Sequence, residues 1–171
     1  MGRRFLSWVM ALATGMASAH PAGLTSPAFV NGKTIPSHYT CLGAAVSPPL
    51  RFGHLPAATQ GLVLIAWAGK PPQAQWVLYD LPPEAPGLWE NVPLGVEPGL
   101  FFQGRNGLDR LGYSPPCAGL RYTFVLYALD VPGMGLTPGA SYREVFQKMQ
   151  GHVLQKFELV GYSGEGPPTV Y

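Results

Sequence analysis

The chain has 171 residues, of which 11 are basic and 9 acidic, and only 12% are charged. It also contains 22 glycines, 19 prolines and 47% hydrophobic residues. This composition excludes an intrinsically disordered chain, which would be poor in apolar residues. It also leaves little room for long helices, because glycine and proline favour turns.

The N-terminus has the three parts of a secretory signal peptide. Arg3 and Arg4 are positively charged, residues 5–16 carry no charge, and Ala17 and Ala19 are small residues before a cleavage site. Residues 1–19 are therefore predicted to be removed on export to the periplasm or the medium. Residues 20–163 would then form a single domain and residues 164–171 a flexible tail. An uncleaved membrane anchor is the alternative. After cleavage no stable membrane insertion is expected, since a span needs about 20 apolar residues.

Cleavage would also change the charge balance. Without Arg3 and Arg4, nine basic residues remain against nine acidic ones. A chain without excess positive charge has little with which to neutralise phosphates, so no nucleic-acid partner is expected. His20 would become the N-terminal residue, where an amine and an imidazole together can bind a metal ion. The start of a flexible tail is the simpler interpretation of His20.

Three apolar runs in the middle of the chain have the length and composition of β-strands. They are residues 62–67, 75–81 and 121–129. Residues 61–65 and 122–127 are nearly all apolar, which is typical of central strands covered on both faces. The connections are rich in proline and glycine and are predicted to be loops that could shape a pocket. They are residues 69–72, 82–87, 95–99 and 113–119.

One helix is predicted near the C-terminus. Ser141 and Glu144 have the spacing of a capping box, and Val145, Met149 and Val153 would share one helical face. The glycine at position 151 is expected to end or interrupt this helix, and residues 155–162 form a final strand. Together these elements predict an antiparallel β-sandwich with one or two short helices in the C-terminal half.

The chain has two cysteines, Cys41 and Cys117, which are 76 positions apart. In an oxidising compartment one disulfide is the economical interpretation, and it would stabilise the fold by roughly 4 kcal/mol in the chain-entropy model. Two buried free thiols are the alternative. Neither cysteine lies in a catalytic or zinc-binding pattern, and no histidine has metal-ligand spacing. No metal and no other cofactor is therefore expected.

Several short motifs occur in an order that resembles the phosphatidylethanolamine-binding protein family, in particular its bacterial Raf-kinase-inhibitor-like branch of the YbhB and YbcL type. They are YTCLG at 39–43, SPPL at 47–50, WVLYDLP at 76–82, GRN at 104–106, GY at 112–113, RYTFVLYALD at 121–130, MQGHVL at 149–154 and ELVGY at 158–162. The resemblance covers about residues 24–163. It implies a β-sandwich with a small pocket near one end, which in relatives binds phosphate-like, phospholipid-headgroup or acetate-like anions.

The resemblance also implies which positions would line this pocket. In relatives it is built from an aspartate-rich D-P-D-A-P loop, a histidine before the WVLY strand, a G-P-x-P loop and the histidine of an H-R-Y motif. The equivalent positions here are Trp67, Lys70, Pro72, Gln75, Trp76, Ser114, Pro116, Leu120 and Tyr122. The acidic loop is replaced by WAGKPP at 67–72, and the two histidines are replaced by Gln75 and Leu120.

These substitutions change the chemistry that the pocket can perform. Imidazoles exchange protons near neutral pH and donate hydrogen bonds to anions, whereas a glutamine and a leucine cannot do both. Lys70 is expected to point to solvent, although it would supply a positive charge if it pointed inward. The pocket is therefore predicted to be more apolar than that of relatives, or closed by Trp67.

The sequence thus predicts an exported, non-catalytic binding protein with a degenerate anion pocket. Its partner would be a small apolar or amphipathic ligand or another protein. One alternative is a structural or vestigial accessory protein whose pocket is filled by its own side chains. A second alternative is a hydrolase. The sequence opposes it, because it contains no G-x-S-x-G motif and no nucleophile–base pair.

Overall fold

The computed structural model describes residues 23–94, 100–117 and 119–164. The predicted signal peptide, His20 and the tail beyond residue 164 lie outside the described residues. The strands within the described ranges are β1 Leu24–Thr25, β2 Lys33–Ile35, β3 Leu50–Phe52, β4 Gly61–Ala68, β5 Gln73–Leu81, β6 Gly87–Leu88, β7 Phe102–Gln103, β8 Arg121–Leu129 and β9 Val153–Ser163. Helix α1, Tyr142–Lys148, lies between β8 and β9, and a short 3₁₀-helix spans Ser37–Tyr39.

The strands form two sheets. The larger has six strands in the order β2-β9-β8-β4-β5-β7, and the smaller has three in the order β1-β3-β6. Neighbouring strands are antiparallel except β2 and β9, which are parallel over residues 33–35 and 161–163. The predicted mainly-β sandwich is therefore confirmed, with one parallel pair at the edge. The sequence did not predict this parallel pair, because β2 has only three residues and is too short to show a periodic pattern.

The two apolar strands β4 and β8 lie at the centre of the larger sheet and are covered on both faces, as predicted. Alternate residues point to opposite faces of a strand. Leu64 packs on the face that the smaller sheet covers with Leu50, whereas Ile65 packs on the face covered by Val145 of α1 and by Met149, which directly follows the helix. Burial of each such side chain stabilises the fold by about 1.5–3 kcal/mol relative to exposure.

Helix α1 begins at the predicted capping box. The Ser141 hydroxyl oxygen accepts a hydrogen bond from the Glu144 backbone N–H at 3.3 Å, and Glu144 Oε2 accepts one from the Ser141 N–H at 2.8 Å. The predicted place of Val153 on the helical face is wrong. Gly151 has φ +82°, a left-handed conformation that turns the chain after the helix, so Val153 begins β9 instead. No helix in the described ranges is long and apolar enough to cross a membrane.

Candidate functional site

A cleft of about 290 Å³ lies where the end of β4 meets the start of β8. Antiparallel pairing of these strands sets Ala68 opposite Tyr122, so the loop that follows β4 lies beside the residue that precedes β8. The lining residues are Ala68, Gly69, Lys70, Pro71, Gln73, Gln75 and Leu120. Three of the nine predicted pocket positions are thereby brought together, namely Lys70, Gln75 and Leu120.

The polar groups of the cleft come from one lysine and two glutamines. Lys70 is exposed and forms no ion pair with the described residues. The Gln75 amide nitrogen donates a long hydrogen bond of 3.4 Å to the Gln73 carbonyl. Gln75 is half-buried, and Leu120 adds an apolar side chain that is 38% exposed. Among the described residues, the lining thus offers one positive charge and amide groups, and it holds neither an imidazole nor a carboxylate.

Two predicted pocket residues, Trp76 and Tyr122, lie in the core and do not line the cleft. Both are buried within the apolar layer between the two sheets, and their rings pack against Tyr113 at centroid distances of 5.5 and 5.9 Å. The Trp76 indole N–H donates to Gln103 Oε1 at 3.1 Å, and the Tyr122 hydroxyl donates to the Ser114 carbonyl at 2.7 Å. Their polar groups are therefore already engaged within the protein. Burial raises the pKa of the Tyr122 hydroxyl well above its ordinary value.

The remaining loop positions also lie outside the cleft lining. Ser114 accepts a hydrogen bond from the Asn106 amide at 2.8 Å, and its backbone N–H donates to the Gln75 carbonyl at 2.9 Å. Pro116 is buried, and its carbonyl accepts a hydrogen bond from the Cys41 N–H at 3.1 Å. Pro72 is exposed. The loop that carries Ser114 and Pro116 is thus held against β5 and against the segment around Cys41.

Closure of the pocket by Trp67 is contradicted by the structure. Trp67 follows Val63 and Ile65 in the alternation of β4, so its side chain lies on the opposite face of the sheet, towards α1. Its ring packs edge-on against those of Tyr142 and Phe146, each at a centroid distance of 6.1 Å. Trp67 therefore anchors the helix and does not cover the cleft.

The predicted disulfide is present between Cys41 and Cys117. Their Cα atoms are 5.3 Å apart, within the range that a disulfide spans without backbone movement. Both cysteines are exposed. The bond joins the segment after the 3₁₀-helix to the loop that precedes Leu120, and the Tyr113 hydroxyl strengthens the same connection by donating to the Tyr39 carbonyl at 2.9 Å.

A polar cluster near this disulfide was missed by the sequence analysis. The Tyr39 hydroxyl donates to Glu90 Oε2 at 2.6 Å, and His38 Nε2 lies 3.4 Å from Glu90 Oε1. The hydrogen bond from Tyr39, followed by that from His38, lowers the pKa of the Glu90 carboxyl. Burial and the neighbouring carboxylate raise the pKa of Tyr39 to about 12. No local pattern could indicate this contact, because Tyr39 and Glu90 are 51 positions apart.

The other described histidines have separate surroundings. His152 Nδ1 lies 2.9 Å from Asp130 Oδ1, next to a backbone hydrogen bond from the Asp130 N–H to the His152 carbonyl. His54 is exposed on a loop. Across the described ranges, no three His, Cys, Asp or Glu side chains converge in a way that could hold a metal ion.

The chain is similar in sequence to proteins of one known family. The family model for phosphatidylethanolamine-binding protein matches residues 25–164. A UPF0098 protein of Methanothermobacter thermautotrophicus is 41% identical over 150 residues, which cover 84% of this chain and 99% of that protein. A UPF0098 protein of Aquifex aeolicus is 37% identical over 144 residues, covering 80% of this chain and 84% of the relative.

Two solved structures have a similar fold. The crystal structure of CT736, a phosphatidylethanolamine-binding protein homologue from Chlamydia trachomatis, superimposes with a TM-score of 0.74 at 34% identity, over 84% of this chain and 97% of that one. The structure of YbcL from Escherichia coli gives a TM-score of 0.73 at 18% identity, over 84% and 98% of the two chains. The likeness to YbcL is one of fold alone.

Proposed function

The chain belongs to the phosphatidylethanolamine-binding protein family, and we propose that within it the chain is an exported, non-catalytic binding protein whose anion pocket is degenerate. Its ligand is a small amphipathic molecule or a protein partner that contacts the rim of the cleft. The observation that supports this proposal best is the composition of the cleft, where Gln75 and Leu120 lie together at positions that the family resemblance assigns to histidines.

The cleft has the chemistry of a weak binding site. Lys70 offers a positive charge in a setting open to water, where one ion pair is worth about 0–1 kcal/mol. Gln73 and Gln75 offer amide groups that hydrogen-bond to neutral as well as to charged molecules. Leu120, Ala68 and Pro71 offer apolar surface. This mixture favours the binding of an amphipathic ligand over the binding of a compact anion.

Phosphoethanolamine should bind only weakly, with a dissociation constant of about 1 mM or higher, equivalent to roughly 4 kcal/mol. The physical reason is that Lys70 provides the one charge in the described lining of the cleft. Sulfate, which keeps both of its charges between pH 6 and 8, should bind with the same low affinity across that range because the described lining of the cleft holds no imidazole. Isothermal titration calorimetry with each ligand at two pH values measures the dissociation constants and so tests both predictions.

Lys70→Gln is the matched variant for this experiment, because it removes the charge from an exposed side chain and leaves the cleft otherwise intact. It should abolish the residual sulfate binding. Micromolar binding of either anion by the unaltered protein would contradict the degenerate pocket, and it would mean that Lys70 and the surrounding amides rebuild an anion site.

A second candidate function is a structural accessory role in which no ligand binds. It is favoured by the packing of Trp76, Tyr113 and Tyr122 against one another, because these rings fill the interior between the two sheets with side chains of the protein itself. A hydrolase has less support. Among the described residues no serine hydroxyl is hydrogen-bonded to a histidine.

Export is supported by the signal-peptide pattern of residues 1–19 and by the disulfide, since disulfides persist in oxidising compartments. Protein recovered from the periplasm or medium of a bacterial host should therefore begin at His20. Intact-mass measurement checks this, and an Ala17→Leu/Ala19→Leu variant should remain uncleaved because the small side chains before the cleavage site are lost. A dominant species that retains Arg3 and Arg4 would instead indicate an uncleaved anchor.

A further inference from the structure

A second groove, of about 600 Å³, opens between the segment that follows β3 and strand β9. It is lined by residues 54–57 of that segment, by Gln155 and Phe157 of β9, and by Gly23, the first residue that the structure describes. None of these residues lines the cleft at Lys70. In the described lining of the groove, the imidazole of His54 is the one side chain that binds transition metals strongly.

The chain enters this groove at a fixed point, Gly23. The Gly53 N–H donates a hydrogen bond to the Gly23 carbonyl at 2.9 Å. Gly23 has φ +41°, in the left-handed region that favours glycine, and a Cβ atom there would lie 1.8 Å from Cδ1 of the Phe157 ring. The backbone of Gly23 is thus held between Gly53 and Phe157, and His54 directly follows Gly53.

The distance between the predicted mature N-terminus and the groove is limited by the length of the chain. His20 lies outside the described residues, but it is only three positions before Gly23. Three residues span at most about 11 Å even when the chain is fully extended. Since Gly23 is hydrogen-bonded to the neighbour of His54, the two histidines are close enough for both side chains to reach one metal ion in the groove.

Cleavage after Ala19 would give His20 two metal ligands of its own. The free α-amine and the imidazole Nδ1 of an N-terminal histidine can close a chelate ring around one ion. Pro21 has no N–H, so a metal ion cannot displace a backbone proton there to gain a further nitrogen ligand. The His54 imidazole can supply that further nitrogen. Nitrogen ligands in a square-planar arrangement are typical of Cu²⁺, the divalent first-row ion that such ligands bind most tightly.

The surroundings of His54 leave its imidazole available to a metal ion. His38 and His152 each lie within ion-pair distance of a carboxylate, that of Glu90 and that of Asp130. In the part of the chain that the structure describes, His54 forms no such pair. The described lining of the groove also contains neither a lysine nor an arginine that would repel a cation.

We propose that the groove of the mature protein binds Cu²⁺ through the amine and imidazole of His20 and the imidazole of His54. This site rests on the export and cleavage included in the proposed function, and it does not depend on what binds in the cleft. The sequence analysis expected no metal because the two histidines are far apart in the chain. The hydrogen bond between Gly53 and Gly23 brings the two segments together.

Titration of the mature protein with Cu²⁺ tests the site. Protein whose intact mass shows His20 as the first residue should bind one Cu²⁺ per chain by calorimetry, with nitrogen ligands visible in its electron paramagnetic resonance spectrum. His54→Ala should weaken binding by at least about tenfold, because one of three nitrogen ligands is lost. His20→Ala should weaken it at least as much. His152→Ala removes another exposed imidazole and should leave the affinity unchanged.

A failure of export is distinguished from a failure of the site by a second preparation. If the exported protein does not begin at His20, the same chain released from a fusion protein at His20 is titrated instead. Absence of Cu²⁺ binding by that chain would overturn the proposal. Equal affinities of the unaltered protein and the His54→Ala variant would also overturn it, because the N-terminal residue alone would then hold the ion. Circular dichroism verifies that the variants are folded, as expected for an exposed side chain such as His54.

Discussion

Replacing Cys41 and Cys117 together by serine should lower the free energy of unfolding by roughly 4 kcal/mol, because the disulfide closes a long loop in the unfolded chain. The two cysteines are 76 positions apart, and the loop between them contains the long strands β4 and β5. For a domain of this size the loss corresponds to a fall in melting temperature on the order of 10 °C. Urea denaturation of the variant and of the oxidised protein measures the difference.

The reductant dithiothreitol provides the control. It should destabilise the unaltered protein to about the level of the double serine variant, and it should have no effect on the variant itself. Equal denaturation midpoints for the oxidised protein and the variant would show that the backbone contact from Cys41 to Pro116 and the Tyr113–Tyr39 hydrogen bond hold this region without the disulfide.

Introducing imidazoles into the cleft should create an anion site. Gln75→His/Leu120→His places two histidines where Gln75 and Leu120 now line the same cleft beside Lys70. At pH 5.5 both imidazoles would carry charge, and sulfate affinity should rise by at least about tenfold, equivalent to 1.4 kcal/mol. The gain should disappear by pH 8 because unperturbed imidazoles lose their proton near pH 6.5. Calorimetry at the two pH values reports both effects.

Gln75→Asn/Leu120→Gln is the matched control, since it alters the same two positions with polar groups that do not titrate. It should bind sulfate no better at pH 5.5 than at pH 8. If the histidine variant also bound sulfate weakly at both pH values, the cleft would be too open to hold an anion whatever its lining. The structural accessory role would then be the better interpretation.

The long strands could be predicted from the sequence because their apolar runs are unambiguous. Strand β8 has the predicted limits, and the predicted 62–67 and 75–81 correspond to Gly61–Ala68 and Gln73–Leu81. The strands of two or three residues, such as β1 and β6, were not predicted, because a run that short has no measurable periodicity. Leu24 of β1 and Leu88 of β6 are buried in the core between the two sheets, so tertiary packing stabilises these short strands.

The candidate site could be predicted in part. The family resemblance assigned Lys70, Gln75 and Leu120, which come from three separate segments, to one pocket, and all three line the same cleft of the structure. That this cleft is a binding site stays a prediction. The resemblance did not reveal that Trp67 faces α1, because alternation in a strand says which residues share a face but not what covers that face. The contact between Tyr39 and Glu90 could not be predicted either, since it depends on how the 3₁₀-helix and the loop after β6 approach one another.

The cleft lining and the neighbouring core differ in burial, and this has an evolutionary consequence. Lys70 and Leu120 line the cleft and are exposed, whereas Trp76 and Tyr122 lie in the core, buried and hydrogen-bonded. Substitutions in the exposed lining can therefore accumulate at little cost to folding, while the core residues tolerate few. A lineage can thus exchange one recognition chemistry for another on an unchanged scaffold, and two members with the same architecture need not share a ligand.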